Sequence, residues 1–273
     1  MKGRTRKDFM PIAMFWLIKK TLKKPQKILF SLGYQKADAS LSSFQKKLQD
    51  KKVENAYWKK INGFTVVFDL HLEVVFMMTQ LGKLEALYDQ KLINQLTEEF
   101  LKTKKEIKIN NEKFLILNTY YLILYLSLHL FHHNFIGAFR YDFLDKVIRK
   151  NKLSINKWKD IALIINKYQL QNFVYPVFFL LKKYYQTPLP KNFLNQIKPN
   201  FYTMFTLLFT QHLHKINIFN DEPRISAGIK RFLYLFLLSP FPFWKKLLVF
   251  LNPQVIFAVL WVGGGKIKKY LKK

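Results

Sequence analysis

The chain contains no cysteine. That absence excludes disulfide frameworks, cysteine-ligated zinc and thiol nucleophiles, and it suits a reducing cytosol. Acidic residues are scarce: 17 Asp and Glu stand against 46 Lys and Arg, a formal charge of +29. Such a surplus favours anionic partners, among them a nucleotide or an acidic lipid surface. The abundance of Lys, Asn, Ile, Phe and Tyr also matches an AT-rich coding sequence, so charge alone names no partner. A Walker-type phosphate loop is missing: Gly263–Gly265 lacks both the strand–loop–helix setting and a following Lys-Ser/Thr. Neither a G-x-S-x-G elbow nor an H-E-x-x-H motif occurs. The absence of any recognised nucleic-acid module argues against nucleic acid as a partner.

A membrane span needs about 20 apolar residues. Leu115 to Phe131 comes close, but Asn118, Ser127 and His129 interrupt it, so a buried helix is expected. The apolar run Phe9–Ile18 is short, meets Lys19 and Lys20 at once and has no small-residue cleavage site. It is expected to be a strand. These features predict a cytoplasmic protein, with a peripheral position on a membrane as the alternative.

Helical spacing follows over Lys19–Leu32, with Pro25 kinking or delaying the start and Gly33 closing the end. Residues 37–62 are polar and poorly periodic. Phe64–Val75 alternates strictly: Val67, Asp69, His71 and Glu73 share one face, and Val66, Phe68, Leu70, Leu72 and Val74 the other. This is the clearest strand in the chain, and Asn62 with Gly63 suits a turn before it. Helices are expected over Leu84–Leu101, Asn118–His133, Leu144–Ile148, Trp158–Tyr168 and Phe173–Tyr185. A short strand is expected at Lys104–Ile109 with a turn at Asn110–Asn111, and one or two helices over Phe193–Lys215. Residues 230–273 alternate apolar blocks with Lys/Arg clusters. Two readings fit that tail: an interfacial membrane segment, or helices that wrap the core and expose basic edges.

Three constellations bear on chemistry. Asp69, His71 and Glu73 fall on one strand face, where a carboxylate can hold Mg²⁺ or act as a base; a solvated strand face has the same pattern. His129, His132 and His133 fall on one side of a helix and could bind a transition metal or contact phosphate. Capping of an apolar helix is the plainer role for them. Arg140, Asp142 and Asp145 follow Gly137, and an internal ion pair fixing the turn between two helices is expected.

Four blocks, in order, resemble one family. KILFSLGYQK resembles a helix end of the form a-x-x-x-L-x-x-l-G-Y, and VFDLHLEV resembles a v-D-L-H-w strand. LILYLSLHLFHHNFIGAFRYDFLDKVI resembles an L-x-x-H-x-x-H-H-x-f … l-r-w-l-x-D block. Trp158 with IALIINKYQLQNFVYPVFFLLKKYYQTPLP resembles the next stretch, l-d-W-x-x-l … l-P. Together they span roughly residues 25–190 and are similar to the uncharacterised nucleotidyltransferases, a branch of the polymerase-β-like nucleotidyltransferases.

The resemblance implies an α+β fold. A small mixed nucleotidyltransferase-like sheet would occupy residues 1–80, a helical domain 81–215 and a basic-apolar segment 216–273. It implies transfer of a nucleoside monophosphate from a nucleoside triphosphate to an acceptor, a small molecule or a protein, that the motifs leave open. Mg²⁺ would be held by Asp69 and Asp8, with His71 beside them in the catalytic group. His129, His132, His133 and Arg140 would contact the nucleotide. The N-terminus departs from the family pattern R-P-m-G-D-I-D-L-L-V. In one alignment Pro11 takes the Pro, Ala13 the Gly, and Met14 and Trp16 the two metal-binding Asp positions. In the other, Arg4 and Asp8 match R-x-x-x-D and Met10 takes the second Asp. The first loses both carboxylates and the second loses one. The chain is therefore expected to be a truncated or catalytically degenerate member, or a non-catalytic nucleotide-binding or scaffold protein, the latter with a place at a membrane surface.

Overall fold

A computed structural model describes residues 12–16, 23–36, 54–71, 86–109, 111–199, 212–220, 224–253 and 256. The class is α+β, in two compact units. The first comprises Met1–Val75 with Thr79–Gly82, the second Phe76–Met78 with Lys83–Lys273.

In the first unit, β1 (Ile12–Trp16), β2 (Gln35–Lys36), β3 (Glu54–Ile61) and β4 (Phe64–His71) form one sheet in the order β1-β4-β3-β2. It is mixed: β1 runs parallel to β4, and the other pairs are antiparallel. Asn62 and Gly63 both have positive φ, 49° and 84°, as a two-residue type I′ hairpin requires. That turn sets the register Ile61↔Phe64 through Glu54↔His71. Helix α1 (Lys23–Ser31) has Pro25 in its first turn, where a missing N–H costs no helical bond. It ends on Gly33 at φ 79°. Tyr34 N–H reaches Leu29 O at 2.9 Å and Gly33 N–H reaches Phe30 O at 3.0 Å, the two bonds of a Schellman cap. The cap delivers Tyr34 to the core, where Leu29, Tyr34 and Tyr57 are buried with Val66 and Phe68 packed against them. The rings of Tyr34 and Phe68 meet edge-on at 5.0 Å. Lys59 donates to Leu32 O at 2.6 Å, satisfying a carbonyl left open at the helix end.

Strand β3 lies within residues 37–62, the stretch read as polar and poorly periodic, where no strand was expected. Of residues 56–61 in its sequence ENAYWKKI, Tyr57 alone is completely buried. The strand exists because the hairpin hands its backbone groups to β4, not because its side chains alternate.

The second unit opens with α2 (Gln90–Lys102), whose N-terminus is capped by Asp89 Oδ1 accepting from Lys91 N at 2.8 Å. Strands β5 (Lys105–Ile109) and β6 (Glu112–Ile116) form a separate hairpin, with Asn111 at φ 66°. The turn at Asn110–Asn111 is as the sequence indicates, although residue 110 lies outside the described set. Strand β6 was not foreseen. Leu115 and Ile116, taken as the start of a buried apolar run, lie on it and are exposed.

Helix α3 (Thr119–His132) forms the centre of the unit, with eight buried residues spread around its circumference. Its buried Ser127 returns its hydroxyl to Ile123 O at 2.8 Å. Around it pack α4 (Ala138–Asn151), α5 (Ile155–Lys167) and α6 (Gln171–Tyr185). The helix read at Leu144–Ile148 is thus about two and a half turns longer than its apolar stretch. Tyr141 in its first turn is buried on the same face as Leu144 and Ile148, and Gly137 before it offers no capping side chain. After α7 (Phe193–Gln196), α8 (Arg224–Leu238), α9 (Phe243–Leu247) and a 3₁₀ turn (Leu248–Leu251) return to the same unit. Asn172 donates to Leu238 O at 2.8 Å, and Phe135 meets Tyr234 at 5.7 Å. The described part of the tail therefore packs on the helices. No helix among the described residues is long and apolar enough to cross a membrane.

Candidate functional site

Asp69 and His71 lie in β4, inside the first unit's sheet. In the parallel register, Asp69 pairs with Met14 and His71 with Trp16. Mg²⁺ takes hard oxygen ligands in near-octahedral geometry. A thioether is too soft and an indole offers no lone pair. The donor set of this strand pair, with one carboxylate, does not fit a two-magnesium centre. Asp8 and Glu73 lie outside the described residues. Among the described residues, no group of three His, Asp or Glu is arranged to hold a metal ion.

The histidines do come together, in the second unit. His129 and His132 occupy the last turn of α3, and His133 is its C-cap. The His129 ring lies 4.6 Å from His133 and 6.3 Å from His132, and His132 lies 5.5 Å from His133. Arg140, in the first turn of α4, lies over the Phe139 ring at 4.3 Å. Gly137 makes this possible. It takes φ 111°, and a Cβ there would stand 2.6 Å from Arg140 Nη1. Its N–H is fixed by Ile218 O at 2.9 Å. The fifth member, Arg231 on α8, donates from Nη1 to His132 Nε2 at 3.0 Å.

The electrostatics follow from this gathering. The His133 imidazole is held far below its ordinary value, first by burial and then by His129, Arg140, His132 and Arg231. Burial alone lowers the Arg140 guanidinium to about 10, which still leaves it charged at neutral pH. No described carboxylate is among the charges acting on either group.

The expected ion pair between Arg140 and the aspartates is not formed. Asp142 binds Lys146 at 2.7 Å, and Asp145 binds Arg149 at 2.8 Å. Asp145 also accepts from Thr187 at 2.7 Å, while Arg149 reaches Tyr185 O at 2.8 Å. The helical period explains the correction: residues four apart share a face, whereas Arg140 and Asp142 do not. Asp145 thus helps to fasten the end of α6, and neither aspartate of α4 is paired with Arg140. The N-terminus of α4 has no side-chain cap and no acid in its first turn, so its partial positive charge adds to the cluster.

Two guanidiniums, three imidazoles and an uncapped helix start make a site suited to an anion. Arg provides planar, paired donors that match phosphate or carboxylate oxygens. Neutral imidazoles can donate without adding a fixed charge. Arg231 was missed from the sequence, where Lys230-Arg231 reads only as a basic flank of an apolar segment. Compared with known proteins, the chain matches no family model, no curated protein and no solved structure.

Proposed function

We propose that this protein binds a phosphate-bearing ligand, of which a nucleoside triphosphate is the leading candidate, through the His–Arg cluster, and does not transfer the nucleotide. The observation that carries the reading is the convergence of Arg140 and Arg231 on His133 while the aspartates of α4 are engaged by Lys146 and Arg149. The four sequence blocks support a nucleotidyltransferase-like sheet ahead of a helical domain. The pairing of Asp69 with Met14 rather than with an Asp supports loss of catalysis. In this reading the fold is kept, the metal site is lost and the phosphate contacts remain.

Calorimetry with ATP and with inorganic phosphate, each with and without Mg²⁺, tests it. Binding should occur without Mg²⁺, persist in Asp69→Ala and weaken about tenfold in Arg231→Gln, the loss of one charge-assisted hydrogen bond. Binding that requires Mg²⁺ and vanishes in Asp69→Ala would overturn the non-catalytic reading in favour of a working transferase. Absence of binding to both ligands would sink the anion site itself.

A further inference from the structure

The segment after α8 exposes an unusual run of apolar side chains. Of nine residues from Phe243 to Leu251, six are large, apolar and exposed: Phe243, Trp244, Leu247, Leu248, Phe250 and Leu251. Trp244 is 69% exposed and Leu251 73%. Soluble surfaces carry such residues singly, and six within nine residues mark an interaction site. The run is held in place from below. Lys246 and Val249 are buried, and Lys246 donates to Leu237 O at 3.2 Å. Phe236 of α8 meets Phe243 at 6.2 Å and Phe250 at 5.7 Å. The exposed side chains are thus displayed on a short helix and a 3₁₀ turn docked to α8.

Charge says what covers them. From Pro223 to Lys273 the sequence has ten Lys and Arg and no Asp or Glu. A second copy of this chain would meet the patch with the same sign of charge, within a net +29, and be repelled. An anionic lipid surface complements it. Trp and Phe favour the headgroup boundary, and lysines favour acidic headgroups. A fluid bilayer also accepts side chains splayed around a helix and a 3₁₀ turn without a matching groove. We infer that Phe243–Leu251 is an interfacial docking segment that seats this protein on an anionic membrane without spanning it. The inference is independent of the His–Arg cluster.

Flotation of the full chain tests it, with vesicles of phosphatidylcholine alone or mixed with phosphatidylserine. The wild type should float with the phosphatidylserine vesicles and progressively less as salt is raised. Trp244→Ser combined with Leu251→Ser should weaken partitioning by at least about tenfold with an unchanged circular dichroism spectrum, since both side chains face solvent. Failure of the wild type to float on phosphatidylserine vesicles would overturn the inference. So would equal flotation of the double variant, or a salt-insensitive dimer that the double variant converts to monomer without any lipid binding.

Discussion

Arg231 and His132 lie 99 residues apart in sequence and 3.0 Å apart in space. A guanidinium has no lone pair with which to accept. His132 Nε2 is therefore the acceptor, and the ring is neutral with its proton on Nδ1. The bond ties α8 to the end of α3 and gathers the anion site from two distant parts of the chain.

Removing either partner should lower phosphate affinity through the same unit. Arg231→Gln and His132→Gln should each weaken binding by about 1–2 kcal/mol, and the double variant by less than the sum. Calorimetry of the four proteins reads the coupling directly. Strict additivity would mean that the two side chains act on the ligand separately.

Acid should destabilise the fold. Burial first, then neighbouring charges, keep the folded pKa of His133 far below the ordinary 6.5. The unfolded chain therefore takes up the proton first. The stability held by the neutral ring is complete above about 6.5 and falls as pH drops below it, by up to about 1.4 kcal/mol per pH unit. His212 is shifted in the same direction by burial, Lys230 and Lys215. Urea midpoints at pH 7.5 and 5.5 measure the loss. Phosphate should reduce it, because a bound anion favours the protonated imidazole.

Gly137→Ala should cost about 1–3 kcal/mol, from left-handed backbone strain and the clash with Arg140. It should also weaken phosphate binding, because relief of the clash moves the guanidinium. Thermal melts and calorimetry on one sample separate the two effects. A stable variant with unchanged binding would show that Arg140 does not need this position.

Asp145→Ala should lower stability by about 2–3 kcal/mol, leaving Thr187 and Arg149 without their shared carboxylate. Asp145→Asn should cost less, since its amide oxygen still accepts from Thr187. Denaturant midpoints give both values. Phosphate affinity should change little, because the pair fastens α6 and lies outside the cluster.

Strict alternation over Phe64–His71 and the Asn-Gly pair before it identified β4 and its turn, because period two and a type I′ turn are local properties. Gly33 and the spacing before it identified the end of α1 for the same reason. Strand β3 was invisible, since it is made by pairing with β4 rather than by side-chain pattern. The start of α4 was invisible too, since it is set by Gly137 and the Ile218 carbonyl instead of a capping residue. At the site, the histidines stood out because three fell within one helix turn. Their ionic surroundings did not. The aspartates two and five residues beyond Arg140 suggested its partners, but helical period gave them to Lys146 and Arg149. Only the return of α8 brought Arg231 to His132. The sequence by itself determined the elements whose signals are periodic or lie in adjacent residues. The tertiary structure decided which charges meet, because proximity between residues 99 apart is a property of packing and leaves no mark on either segment.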